Sequence, residues 1–266
     1  CSDNFSSDSY GESESAENEQ AKTIAVQPPY DFQLSYIARF LDKKTLLNFR
    51  CVCKRYKNIV APFFNDICRK LSQERKNENL INLATSGQSM DVKLWLEYGA
   101  EVNARDQRVT SRDGTPLMFA SLKGHTPVVG LLLDHGASIN LQSAAGNTAL
   151  IIAARCGDID VSRLLLDDHG VNINLQNIAG NTALIIDDRC GDIDISRLLL
   201  DHGININLQN IVGNPALIID DSFGNIDVSR LLLDYGANIN LQNTKGNTAL
   251  IIASEFAHKK NTHKII

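Results

Sequence analysis

A surplus of positive charge, long apolar runs and catalytic signatures are all missing from this sequence, and each absence excludes a class of function. Lys and Arg number 26 against 31 Asp and Glu, a formal net charge of −5. The chain as a whole therefore lacks the basic surplus that nucleic acid attracts, and no nucleic-acid partner is expected. No stretch approaches 18 continuous apolar residues, so no transmembrane segment is expected. A Gly-rich phosphate loop, an HExxH pair, a nucleophile elbow and a CxxC pair are all absent. The expectation is a protein that is not an enzyme and has no catalytic residue, cofactor or metal.

Six cysteines are present, and none has disulfide or zinc-ligand spacing. Cys51 and Cys53 form C-x-C, where i and i+2 of a helix point to different faces. Cys156 and Cys190 fall at the same place in two near-identical stretches, which makes them copies of one residue. Reduced, structural thiols in a reducing, cytoplasmic compartment are the expectation.

What is present is repetition. Residues 146–177 read GNTALIIAARCGDIDVSRLLLDDHGVNINLQN, and close copies start at Gly180, Gly213 and Gly246. Looser copies begin near Asn79 and Thr115. Leu-Leu-Leu runs centred on Leu132, Leu165, Leu199 and Leu232 recur every 33 or 34 residues. A fixed period of that size predicts a solenoid, in which each unit buries its apolar face only against its neighbours.

The N-terminal part differs. Residues 1–27 hold six carboxylates and no basic residue before Lys22, and such a segment is expected to be disordered. Cys1 in place of Met is expected to mark a fragment end, with a lipid-bearing lipoprotein start as the alternative. Residues 28–71 carry nine Lys and Arg against three Asp. Apolar residues at helical spacing predict three short helices there: Leu34, Ile37, Phe40 and Leu41; Leu46, Leu47, Phe49 and Val52; Cys53, Tyr56, Ile59 and Val60. Three such helices make too small a core to stand alone. Residues 72–78 read as a short charged connector, helical and stiff, leading into a repeat array over 79–266.

The run LDKKTLLNFRCVCKRY, residues 41–56, resembles an F-box. Ile37, Leu41, Leu46, Leu47, Val52, Cys53, Lys54, Arg55 and Tyr56 match its pattern, with Tyr56 at the usual Trp. The family's Leu-Pro would fall at Pro29 and Tyr30, whereas here Pro28-Pro29 lies one residue early. The resemblance implies docking on the small Skp-family adaptor subunit of a cullin–RING ubiquitin ligase. Pro29, Leu34, Ile37, Leu41, Leu46, Leu47, Val52, Cys53 and Tyr56 would form the contact. The alternative is a helical cap on the first repeat.

Each repeat resembles an ankyrin repeat, from G-x-T-x-L through the Leu-Leu run to the closing G-x-x-x-N. That implies an all-α, ankyrin-repeat solenoid of helix–turn–helix units with β-hairpin fingers, about five repeats and a partial last one, preceded by the F-box-like unit. Within residues 146–177, Thr148 is expected to cap the first helix and Gly157 to end it. Asp158 or Asp160 would start the second helix, and Gly170 would end it. The Pro of the usual T-P-L survives only at Pro116, and Pro215 has moved to the Thr position. His135, His169 and His202 suit helix C-termini, where a cationic ring meets the dipole. The last unit, with polar residues where a second helix would run, reads as a C-terminal cap, with a truncated fragment as the alternative.

Two sets of residues are candidate target contacts. Asp187, Asp188, Asp220 and Asp221 replace the paired small residues of the other first helices, as an acidic patch or as drift in duplicated repeats; either way local stability should fall. Gln142, Gln176 and Gln209 are the members of the N-L-Q-N series expected to be exposed. The whole chain is expected to be a monomeric, non-catalytic adaptor presenting a target protein to the ligase. It resembles F-box/ankyrin effectors of amoeba-associated intracellular bacteria or giant viruses. The alternative is an ankyrin scaffold or masking protein without a ligase link.

Overall fold

The computed structural model describes Arg69 and residues 71–108, 113–167, 170–187, 192–223 and 225–262. The chain divides into two compact units, Cys1–Ser72 and Gln73–Ile266, and nearly all described residues belong to the second. The segment expected to be disordered, the three F-box-like helices and every residue of the expected ligase contact lie outside the described residues.

Within the second unit the period becomes helix pairs. The helices are α1 (Gln73–Ser86), α2 (Ser89–Glu97), α3 (Pro116–Leu122), α4 (Thr126–Asp134), α5 (Ala149–Cys156), α6 (Ile159–Leu166), α7 (Ala183–Asp187), α8 (Ile193–Asp201), α9 (Ala216–Phe223), α10 (Ile226–Asp234) and α11 (Ala249–Thr262). Odd-numbered helices pack in a row, each on the next, and the even-numbered helices form a second row against them. The result is the all-α, two-layer solenoid that the repeat predicted. Residues 73–78 of the expected connector are the opening turns of α1.

Local chemistry sets these boundaries. Thr115, Thr148 and Thr182 each accept a hydrogen bond on Oγ1 from the backbone N–H three residues on, at 3.4, 3.2 and 3.3 Å. That satisfies one of the four donors a helix start leaves over. Pro215 has no hydroxyl to offer, so the start of α9 relies on its carbonyl, which accepts from Ile218 and Ile219 N–H. Asp158 caps α6 by accepting from Val161 N–H at 2.9 Å, which settles the choice between Asp158 and Asp160. Gly157 ends α5 with φ +70°, a left-handed conformation that costs a residue with a Cβ roughly 1–2 kcal/mol.

Two ends differ from expectation. The last residue of α6 is Leu166 and its C-cap is Asp167, so the helix stops short of Gly170. This repeat carries one extra residue at Asp167-Asp168, which separates the glycine from the end of the helix. In the last unit Ala257 stands where Gly157 stops α5. Nothing forces a left-handed turn there, and α11 runs on for 14 residues to Thr262. The last described element is thus one long helix where a helix pair was expected.

The core is a column of aliphatic side chains, one set per repeat. Leu80, Leu117, Leu132, Ile151, Leu165, Leu184, Ile185, Leu199, Ile218 and Leu232 are almost fully buried. Burying each of these contributes about 1.5–3 kcal/mol. Because every set touches only adjacent repeats, stability is distributed along the array and not pooled in one centre.

Candidate functional site: the finger ridge

The loops that join one helix pair to the next form four similar fingers, residues 137–148, 171–182, 204–215 and 237–248, after a longer first one. Each finger folds on itself through one side chain. Asn177 Oδ1 accepts from Ala179 and Asn181 N–H at 2.9 and 3.0 Å, and Asn210 and Asn243 repeat the arrangement. The fingers expected as β-hairpins are therefore turns held by side-chain amides, and no strand occurs among the described residues.

Three ladders tie finger to finger. Asn140, Asn174 and Asn207 accept on Oδ1 from the next repeat's Asn172, Asn205 and Asn238 N–H, at 2.7, 2.7 and 2.9 Å. Gln142 Nε2 donates to the carbonyls of Gly146 (2.7 Å) and Gln176 (2.8 Å); Gln176 and Gln209 do the same one and two repeats on. At the tips, Ile178, Ile211 and Thr244 N–H donate to the carbonyls of Ala145, Ala179 and Val212, at 3.2, 3.1 and 3.0 Å. The close approach at the tips needs glycine: a Cβ on Gly146, whose φ is +76°, would sit 2.6 Å from Ile178 N.

These bonds correct the expectation for the glutamines. Gln142, Gln176 and Gln209 are half-buried, and both amide hydrogens of each are used inside the ladder. They were expected as exposed members of the N-L-Q-N series because polar residues in a loop read as surface. The periodic carbonyls they serve were not visible in one repeat alone. In the first finger Arg105 takes the glutamine's place and donates to the Gln142 carbonyl at 3.0 Å.

At the tips the ladders also turn aliphatic side chains outward. Ile178 is 74% exposed and Ile211 69%, with Val212 and Ala144 also exposed in this row. No charged residue occurs in 138–148, 170–182 or 203–215. Three successive fingertips thus form an uncharged ridge with aliphatic points one repeat apart, held from behind by the ladders, while the next tip carries the exposed Lys245. Exposed aliphatic residues set in one row on a hydrogen-bonded frame are candidate contacts for a partner. Sequence reasoning passed over Ile178 and Ile211, although an aliphatic residue after N-L-Q-N in an otherwise polar turn was the available signal.

The first finger is different in charge. Asp106 is 5% exposed and is held by the Arg108 guanidinium through several hydrogen bonds. The bond from Asp106 holds the Arg108 pKa above its ordinary value. Arg105 pairs with Asp113 at 2.6 Å. Arg105, Asp106 and Arg108, together with Glu74 and Glu78 of α1 and with Glu101, line a polar cavity of about 620 Å³. Both of its guanidiniums are already engaged, Arg108 by Asp106 and Arg105 by Asp113, and the carboxylates outnumber them.

The remaining sequence-singled residues fall as follows. Asp187 ends α7, Asp220 and Asp221 lie within α9, and Asp188 is outside the described residues, as are the side chains of the other three. His135 and His202 direct Nδ1 at the carbonyls of Leu131 and Leu198, each at 2.8 Å, so each ring meets a carbonyl near the end of its helix; His169 is outside the described residues. Cys156 is exposed and unbridged. Among the described residues no cluster of His, Cys, Asp and Glu has metal-holding geometry, and no helix is long and apolar enough to cross a membrane.

The sequence pattern of the family described as ankyrin repeats (3 copies) matches residues 47–143, 80–177, 136–210 and 189–265. The probable E3 ubiquitin-protein ligase XBOS33 of Oryza sativa subsp. japonica is 35% identical over 91 residues, covering 34% of this chain and 17% of that protein. The E3 ubiquitin-protein ligase XBAT33 of Arabidopsis thaliana is 36% identical over 91 residues, 34% of this chain and 17% of its own length. The mouse (Mus musculus) protein fem-1 homolog A-like is 44% identical over 62 residues, 23% of this chain and 10% of its own length. The chain thus spans less than a fifth of each of these relatives.

Proposed function

Because those matches run from residue 47 to residue 265, the chain belongs to the ankyrin-repeat family, and on that premise we propose that it is a substrate-recruiting adaptor. Its fingertip ridge holds a target protein, and residues 28–71 dock the chain on the Skp-family subunit of a cullin–RING ubiquitin ligase. The observation that carries the binding half is the uncharged ridge led by Ile178 and Ile211, exposed on a hydrogen-bonded frame. Apolar points on a rigid base bind without the ordering penalty a flexible loop would add. The ligase half rests on the F-box-like run of residues 41–56 and its basic surplus, which would speed encounter with an acidic adaptor. Ligase-named proteins among the partial relatives lean the same way. In this reading the chain does no chemistry, and ubiquitin transfer belongs to other subunits in the cytosol.

The test is affinity capture from a eukaryotic lysate with two variants. Ile37→Asp/Leu41→Asp is expected to lose the cullin adaptor and keep the target. Ile178→Asp/Ile211→Asp is expected to do the reverse, with an unchanged melting curve because both side chains are exposed. A wild-type chain that retains no cullin adaptor rejects the ligase half and leaves a scaffold or masking protein whose N-terminal helices act as a cap.

A further inference from the structure

Four fingertips stand in one row, and their chemistry changes along it. Ala144, Ile178 and Ile211, at equivalent positions of three successive fingers, are exposed, and Val212 stands exposed beside Ile211. The fourth tip is Thr244 and Lys245, both exposed. The interval between tips is set by the helices beneath them. Each odd-numbered helix packs on the next, and packed helix axes lie about 8–10 Å apart, so the tips repeat at about that interval.

Backbone hydrogen bonding excludes one mode of contact. Ile178, Ile211 and Thr244 N–H donate to the preceding finger, and Ala179, Val212 and Lys245 N–H donate to Asn177, Asn210 and Asn243 Oδ1. With both tip N–H groups of these fingers used, a partner strand finds no donors there for an added ladder. A strand also fits the interval poorly, because its third residue, about 10 Å on, faces the other way. A chain in the polyproline-II conformation has three residues per turn at about 3.1 Å each. Every third residue then falls on one face at an interval of about 9.3 Å, and the backbone needs no partner. A helix reaches that interval only after two turns, about 10.8 Å, and the apolar residues of its intervening turn would meet no tip.

We propose that the ridge binds a polyproline-II segment of the target protein, with an aliphatic residue at every third position and a carboxylate one step further on, over Lys245. This rests on the fingertip ridge being the target-binding surface, and it names the chemistry of what that surface holds. The aliphatic residues of such a segment pack beside Ala144, Ile178 and Ile211, one to a repeat. No charged residue occurs in 138–148, 170–182 or 203–215, so an uncharged stretch is matched along three fingers. Lys245 supplies a positive charge at one end of the row, which sets the register and decides which end of the segment lies over the fourth tip. The tips are held by finger-to-finger bonds, and a proline-rich segment is largely ordered before it binds, so little conformational freedom is lost.

The test is fluorescence anisotropy of labelled synthetic peptides on the full chain. The peptide LPSLPSLPSE carries the proposed spacing, and LPLPLSPSSE has the same composition with its leucines out of register. The first is expected to bind at least about 10-fold more tightly, a ratio that the loss of one buried leucine contact would already produce. Ile178→Asp/Ile211→Asp is expected to abolish its binding with an unchanged melting curve, because both side chains are exposed. Lys245→Glu is expected to weaken it by about 2- to 5-fold, as a surface ion pair would, and the peptide LPSLPSLPSK should recover the loss. Equal binding of the two isomers overturns the proposal, as does binding that survives Ile178→Asp/Ile211→Asp. Tighter binding of a helical peptide with leucine at every seventh position overturns it as well. If a target captured from lysate depends on Ile178 and Ile211 while LPSLPSLPSE fails to bind, this proposal falls and the target-binding reading stands.

Discussion

Replacing Gln176 by Met tests whether the amide ladder stabilises the array or merely decorates it. The Gln176 amide donates to the Gly180 carbonyl at 2.6 Å and to the Gln209 carbonyl at 2.9 Å, from a half-buried position. Met keeps the length and bulk of the side chain and deletes both bonds. A typical net hydrogen bond contributes about 0.5–1.5 kcal/mol, so the loss should be about 1–3 kcal/mol. In a domain of this size that lowers the melting temperature by roughly 2–12 °C. The internal control is Gln242→Met, the same residue type at the same place in the last finger. Its amide has no partner among the described residues, so the change should stay within about 0.5 kcal/mol. Gln176→Glu, which sets a carboxylate against the same two carbonyl oxygens, should lose more than Met does at neutral pH. Thermal and urea denaturation of the three variants read all of this directly. Equal effects at positions 176 and 242 would refute the ladder as a source of stability.

Other perturbations follow from the periodic frame. Asp187→Ala/Asp188→Ala and Asp220→Ala/Asp221→Ala should each raise stability by about 1–3 kcal/mol, because their counterparts Ala120, Ser121, Ala153 and Ala154 are 0% exposed; unchanged urea midpoints would contradict this. Gly146→Ala and Gly136→Ala both force a Cβ into a left-handed conformation, at +76° and +80°. Only Gly146→Ala also strikes backbone, at 2.6 Å from Ile178 N, so its melting temperature should fall further, by about 1–3 kcal/mol more in free energy. Leu165→Ala should lose about 2–5 kcal/mol as a cavity, whereas Leu250→Ala should lose under about 1 kcal/mol; calorimetry separates the two.

The period, the helix pairs and the caps were legible because each depends on residues within one unit. Thr148 and Asp158 sit beside the backbone donors they satisfy, and Gly157 takes a conformation that its own type favours. The role of Gln142, Gln176 and Gln209 was not legible, because it exists only between units. Exposure at Ile178 and Ile211 was obscured for the opposite reason: an aliphatic residue reads as core until the turn around it is seen to be pinned from behind by Asn177 and Asn210. The run of α11 past Ala257 was there to be read, since the glycine that stops α5 is missing. Asp187 and Asp220 stand apart, visible only by comparison among copies.

The common direction of the backbone bonds bears on how such a chain gains and loses length. Removing a unit from the C-terminal side strands only acceptors and a side-chain amide, and water can serve both where they stand. Removing one from the N-terminal side strands backbone N–H groups such as those of Ser138 or Asn172, which a new side-chain acceptor or water must then satisfy. Among the described residues Asn77 supplies such an acceptor at Glu101. Deletion or duplication of whole units behind the Asn77 repeat should therefore leave the N–H at its front partnered, whatever the number of units that follow.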